Sequence, residues 1–392
     1  MVDNINIKIP NTLIGLGAIS NIGDIAKSFS PSKILIVTDA GVIKSGVVDA
    51  VKSPLEKVGY KFDVFDGCVS DPPISSVEKL CKKVKAAHYD LLIGIGGGST
   101  MDATKIASQI AANDGINTYD LLNGKVVEKA ISKILVPTTA GTGSEWSSVA
   151  MVSDDNADMQ KKGVISIKNL PDAVIIDPEL MRSLPQIVTR DTGMDALAHA
   201  IEAYTSCNAN VISDMFATTA IKLIWDNLPI AYSKGSKNIE ARYHLSIAAS
   251  FAMYAACISG VGIGHFMGEP VQNRVHLSHG QACALMLPYA MDFHLIANQA
   301  KFAKIAEIMG EVISSISILD AAAKSVEAVR RLSKTMGMPQ TLSDVGIKEA
   351  DIPEMVKEMH AEKDFLIRLW NPRDVSPEDT TRIYKIALRG RG

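Results

Sequence analysis

At 392 residues, with 47% hydrophobic and 21% charged residues, the chain has material for two or three ordinary domains and too many apolar positions to be disordered. A formal charge of −3 gives no electrostatic basis for nucleic acid or an anionic membrane as partner. The start has no basic region followed by an apolar one, no stretch matches the uncharged apolar run of a membrane span, and five cysteines at unpatterned spacing fit reduced thiols, so the expected location is cytoplasmic.

The alternation Ile5-Asn-Ile7-Lys-Ile9 predicts an opening strand, with a short helix after Gly15 and Gly17. Lys33 to Asp39 is a continuous apolar run closed by an acid, as in a buried parallel strand, and Val47 to Val58 a helix. The pattern repeats: Lys61 to Phe65 a strand, Ser75 to Ala87 a helix, Asp90 to Ile95 a strand, then Gly96-Gly97-Gly98-Ser99 opening a helix to about Ala112. Lys133 to Pro137 and Ala173 to Asp177 supply further strands. Strand alternating with helix at this spacing means a doubly wound, mostly parallel, Rossmann-like sheet. After Leu184-Pro185 the texture turns helical and alanine-rich, with a helix able to start at Asp191 or Thr192. Residues 1–184 are therefore expected to form a dinucleotide-binding α/β domain and 185–392 an all-α domain for metal and substrate.

Three stretches carry chemistry. Glycines at a strand-to-helix turn, at Gly96 to Ser99, expose backbone N–H groups at the positive end of a helix dipole, a place for a pyrophosphate. The spelling is neither GxGxxG nor a P-loop, and a flexible turn explains it equally well. Thr138-Thr139-Ala-Gly141-Thr142-Gly143-Ser144 follows another strand, and its hydroxyls suit phosphate and ribose. Two such loops at one edge of a sheet favour a dinucleotide. Asp39, ending its strand, would accept hydrogen bonds from an adenosine ribose and repel a 2′-phosphate, which favours NAD over NADP; its alternative is a helix-capping aspartate.

The third stretch is Asp195-Ala-Leu-Ala-His199, an acid and an imidazole on one helix face, followed by the histidines of Gly264-His265 to His279-Gly280. Asp195, His199, His265 and His279 offer an O,N,N,N set that suits Fe(II) or Zn(II). His276, three residues before His279, competes as a ligand if both share a helix face. Arg274 offers an anion contact for a carboxylate or sulfonate tail, with solvation or a pairing to Glu269 as the ordinary alternatives. Trp146, Trp225 and Trp370 read as packing, Phe266 as a pocket-lining candidate, and Cys68, Cys81, Cys207, Cys257 and Cys283 as small apolar residues.

These motifs, with Thr38-Asp39, Asp177-Pro-Glu-Leu180, Gly193-Met-Asp195 and Asn371-Pro372-Arg373 in the same order, resemble the iron-dependent (group III) alcohol dehydrogenase family over nearly the whole length. The resemblance implies a dehydroquinate synthase-like architecture and a metal in the cleft between the domains, held by Asp195, His199, His265 and His279. It places Gly97, Gly98, Ser99 and Asp102 at the pyrophosphate, Thr138, Thr139 and Thr142 at ribose and phosphate, and Lys161, or its neighbour Lys162, near the nicotinamide ribose. Asp71 stands where the family often has asparagine, on the adenosine side, and Leu180 counts with the cofactor residues. Glu269, four residues after His265, replaces a common family histidine and is a candidate proton relay.

The implied reaction is reversible hydride transfer between a small primary alcohol and its aldehyde, with NAD as partner and a divalent metal as Lewis acid. Alternatives are a reductase for an aldehyde with an anionic tail, a glycerol dehydrogenase-like polyol enzyme, and a metal-dependent hydrolase. The hydrolase has no use for two dinucleotide loops. A homodimer or larger homo-oligomer is expected, with the Ile5–Ile9 strand a candidate for pairing with its copy.

Overall fold

The apolar runs become the strands of one parallel sheet in a computed structural model that describes residues 7–157, 159–361 and 364–390. The strands are β1 (Asn11–Ile14), β2 (Ile34–Asp39), β3 (Phe62–Cys68), β4 (Leu91–Gly96) and β5 (Ser132–Pro137), then an antiparallel hairpin of β6 (Val149–Asp154) and β7 (Gln160–Ile165), then β8 (Ala173–Ile176). The sheet order is β1-β8-β5-β4-β2-β3. Successive side chains of β2 point to opposite faces: Ile34 and Ile36 join a core with Val51 and Leu55, while Leu35 and Val37 join one with Val77, Leu80 and Ile106. Both faces are covered, so β4 and β8 are buried along their whole length.

The connection order matters for ligands. From β2 the chain moves outward to β3, whereas β4, on the other side of β2, leads away to β5. In doubly wound folds the crevice beyond the carboxyl ends of the strands at such a reversal takes the ligand. Asp39 ends β2 and Gly97 follows β4, so the two expected nucleotide contacts flank that reversal.

Two units make up the chain: the first runs through Thr139 and resumes at Ser144–Ser183, and the second comprises Ala140–Gly143 and the chain from Leu184. The second is helical. Helix Gln186–Thr205 lies at its centre with sixteen of twenty residues buried, packed by helices Val211–Lys234, Ile239–Ser259 and His279–His294. Small residues such as Ala196, Ala200, Ala217, Ala249 and Ala284 in the shared core let these helices approach closely. Among the described residues no single helix is long and apolar enough to cross a membrane.

Three expectations need correcting, and one element was not foreseen. The expected Ile5–Ile9 strand falls partly outside the described residues; of it, residues 7–9 carry no strand, and β1 starts only after Pro10, which has no N–H to give a ladder. The long helix starts at Gln186, with Pro185 at its N-cap, rather than near Asp191. The hairpin β6–β7 was not expected at all. His276 and His279 do not share a helix face: His276, at φ 53, ends helix Ile263–Val275 in the left-handed region, and His279 begins the next helix.

Candidate metal centre and nucleotide loops

Asp195, His199 and Glu202 stand at i, i+4 and i+7 of the buried helix Gln186–Thr205 and therefore share one face. His265 enters from the first turn of helix Ile263–Val275, and His279 from the first residue of helix His279–His294. Gly280 makes the second approach possible, because a Cβ there would lie 2.2 Å from the Asp191 carbonyl oxygen and 3.0 Å from Asp195 Cβ. Asp191 also accepts from Arg190 at 2.7 Å and from the Ser278 hydroxyl at 2.7 Å, which fastens this helix start to the central helix.

The result is a convergence on one carboxylate. His265 Nε2 and His279 Nε2 each lie 3.7 Å from Asp195 Oδ1, and His199 Nδ1 lies 4.0 Å from Asp195 Oδ2. Two donors on one tetrahedral zinc-sized ion are about 3.4 Å apart, close to these separations. Asp195 Oδ1, His199 Nδ1 and His265 Nε2 are buried with no hydrogen-bond partner. Buried polar atoms without partners are costly unless a ligand satisfies them.

The electrostatics favour a cation. Burial alone would raise the Asp195 carboxyl, but His199, His279 and His265 outweigh it and hold it well below the usual carboxylate range. Burial pushes His199 down to about 4, so its imidazole is a neutral donor at physiological pH. His265 is also opposed by burial, yet Cys283, Glu202 and Asp195 raise it well above an ordinary histidine, the mark of a pocket that seeks positive charge. The residues present therefore fit a divalent metal. His279, 28% exposed where Asp195 is 3% exposed, marks the open side.

Around these groups stand residues that sequence reasoning passed over. Glu202 binds His265 Nδ1 and accepts from the Gly262 N–H at 2.8 Å, while Gln272 Oε1 lies 3.2 Å from His279 Nδ1. Glu202 was legible as the i+7 residue from Asp195. Cys283, read as an inert apolar residue, forms with Asp195, His265 and His279 a group whose donor atoms all lie within 4.8 Å of one another. His199 lies beside that group, its ring stacked on His265 at 4.4 Å.

At the nucleotide side, helix Gly98–Ala111 begins with no side-chain cap, leaving N–H donors for an anion. Gly97 has φ −78 and ψ −173, open to any residue, and a Cβ there would come no nearer than 3.6 Å, to Thr139. Neither backbone nor protein crowding requires glycine at 97, so the clearance suits a close ligand. Ser99 Oγ accepts from the Asp71 N–H at 3.2 Å, and Lys161 pairs with Asp71 at 2.7 Å, whereas Lys162 pairs with Asp154. Asp39 caps the next helix through the Gly41 and Val42 N–H groups, and Thr100 donates to its other oxygen at 3.4 Å.

Several cofactor candidates are structural in their contacts. Both oxygens of Asp102 are taken up, one by Ser144 and Lys105 and the other by the Met151 N–H. Thr138 is buried, its N–H on the Gly96 carbonyl. Leu180 packs in the core beneath the sheet, in a short turn of helix capped by Asp177. Thr142 lies in the segment Ala140–Gly143, which groups with the helical unit. Arg274 is paired with Glu358 at 2.8 Å and with the Pro270 carbonyl, and not with Glu269, which stands half-buried one turn after His265. Phe266 stacks on Trp370.

The family models described as "Iron-containing alcohol dehydrogenase" and "Fe-containing alcohol dehydrogenase family, C-terminal" match residues 10–178 and 189–388. The chain belongs to the iron-containing alcohol dehydrogenase family. It is 37% identical to the NAD-dependent methanol dehydrogenase of Bacillus methanolicus over 97% of this chain and 98% of that one. It is 35% identical to the sulfoacetaldehyde reductase of Bilophila wadsworthia (strain 3_1_6), over 92% and 93%. A crystal structure of 1,3-propanediol oxidoreductase superposes with a TM-score of 0.93 at 34% identity, covering 98% and 100%. The family is one of metal-dependent oxidoreductases, which removes the hydrolase alternative.

Proposed function

We propose that this chain interconverts a small primary alcohol and its aldehyde with NAD, using a divalent metal held by Asp195, His199, His265 and His279. The observation that carries the reading is that donor atoms of Asp195, His265 and His279 lie within 4.8 Å of one another with Asp195 Oδ1 and His265 Nε2 buried and unpartnered, and His199 beside them. A metal bound there, Fe(II) or Zn(II), supplies Lewis acidity toward the substrate oxygen. Glu202, ionised, holds a proton of His265 on Nδ1 and so keeps Nε2 as the atom that would hold the metal. Gly97, Gly98, Ser99 and the uncapped helix start receive the pyrophosphate, with Thr138, Thr139 and Thr142 on the ribose and phosphate side. Lys161, fixed by Asp71, serves the nicotinamide ribose. Asp102 and Leu180 act by holding the loops in place. Asp39 supports NAD over NADP, and Glu269, one turn from His265, is the proton relay.

The relatives range from methanol dehydrogenase to sulfoacetaldehyde reductase, so the reading stops at small alcohols and aldehydes. The pairing of Arg274 with Glu358 removes the residue motive for an anionic tail. Five cysteines outside any disulfide support a reducing, cytoplasmic setting, and the sheet-edge position of β1 supports assembly with a second copy. The test is NADH and NADPH oxidation with a panel of aldehydes, on metal-free protein and on protein reloaded with Fe(II) or Zn(II). Metal-dependent turnover that prefers NADH is expected; equal turnover without metal ends the proposal.

A further inference from the structure

Cys283 lies one turn into helix His279–His294, fully buried, with Sγ 3.6 Å from His279 Nε2 and 3.8 Å from His279 Nδ1. Its position is fixed by close packing: a Cβ on Gly268, in the helix that carries His265, would meet the Cys283 backbone at 3.1 Å. The two helices touch there without a side chain between them, which fixes the backbone from which Sγ reaches the donor atoms of Asp195, His265 and His279. Two further atoms, Asp195 Oδ1 and His265 Nε2, are buried, unpartnered and directed to the same point.

We infer that Cys283 is a sulfur donor to the metal centre, which makes this site softer than one built from carboxylate and imidazole alone. The inference rests on the proposed metal site and adds to it. Coordination forms a metal–sulfur bond and breaks the S–H bond, the proton leaving to bulk water. Thiolate among nitrogen and oxygen donors favours Zn(II) over Fe(II), so this residue biases which metal the chain retains.

The experiment is metal loading of the chelator-stripped full chain, read by spectroscopy. With one Co(II) per chain, the wild type is expected to show a thiolate-to-cobalt charge-transfer band in the near ultraviolet. C283S and C283A are expected to lose that band while keeping the visible cobalt bands, and to lose part of the Zn(II)-over-Fe(II) preference in competition. X-ray absorption at the zinc edge of the zinc-loaded wild type needs no variant, and should report one sulfur neighbour at about 2.3 Å. A zinc shell without sulfur, or a charge-transfer band that survives in C283S, overturns the assignment of Cys283 alone. Failure of the wild type to take up cobalt or zinc, or unchanged uptake by D195N, overturns the metal site together with it.

Discussion

The Glu202 carboxylate accepts the Nδ1 hydrogen of His265. Burial would raise the Glu202 carboxyl, but His265 and the Gly262 N–H bring it below its ordinary value, so the acid is ionised and holds a proton on the His265 Nδ1. Replacing Glu202 with Gln keeps a hydrogen bond and removes the charge. Metal affinity should then fall roughly 10–100-fold, read by competition with a coloured chelator, with little change in melting temperature.

Gly280 is where helix His279–His294 meets the central helix. An added methyl must displace the Asp191 carbonyl or the helix start, so G280A should lower stability by about 1–3 kcal/mol. Because His279 is the adjacent residue, metal stoichiometry should fall further than the change in melting temperature alone would suggest. Metal content and thermal unfolding on the same samples decide this.

Gly97 makes the opposite prediction. The nearest protein atoms lie 3.6 Å from the point an alanine methyl would occupy, an ordinary contact, so G97A should change stability by less than about 0.5 kcal/mol. If the pyrophosphate lies against this turn, the KM for NADH rises sharply while the alcohol KM moves little. Unchanged nicotinamide affinity would remove Gly97 from the cofactor site.

Glu269 is an acid one helical turn after His265, at a position where the family resemblance gives a histidine. E269Q should flatten the acidic limb of the rate profile and lower kcat if the residue carries the proton. Identical wild-type and variant profiles across pH would take it off that route.

Lys133, in β5, is almost fully buried, and burial lowers its pKa to about 8 against the partial support of Asp172. A lysine whose folded pKa lies below the unfolded value of about 10.4 burdens the fold fully below pH 8, and the burden lifts as pH rises between the two values. K133M should therefore raise stability at pH 7 by on the order of 1–3 kcal/mol, with the gain shrinking toward pH 10. Thermal melts of both proteins at the two pH values test the sign.

The parallel sheet was legible because Ile34 to Val37, Leu91 to Ile95 and Ala173 to Ile176 are uninterrupted apolar runs, which only a doubly covered strand requires. The hairpin was not: Gln160-Lys-Lys-Gly163 reads as polar surface, and the pair is joined without an Asn-Gly or Asp-Gly signal. Asp195, His199, His265 and His279 stood out through spacing and residue type. Cys283 did not, because a cysteine in an apolar helix reveals its direction only once the register of that helix against its neighbours is known. Arg274 and His276 looked chemical in the sequence and are accounted for by an ion pair and a helix end.

Four residues about a third of the way along the sequence, Ala140–Gly143, keep company with the helical half. A methyl on Gly141 would strike Thr192, and one on Gly143 would strike the Ala249 carbonyl, so this short run is seated tightly among those helices. Dividing the gene at Leu184 would thus yield two products that each lack something: the upstream piece would carry a loop deprived of its seat, and the downstream piece would lose the contacts that Gly141 and Gly143 make with Thr192 and Ala249. Independent production of the halves calls for a permuted order or for supplying that tetrapeptide on the other side.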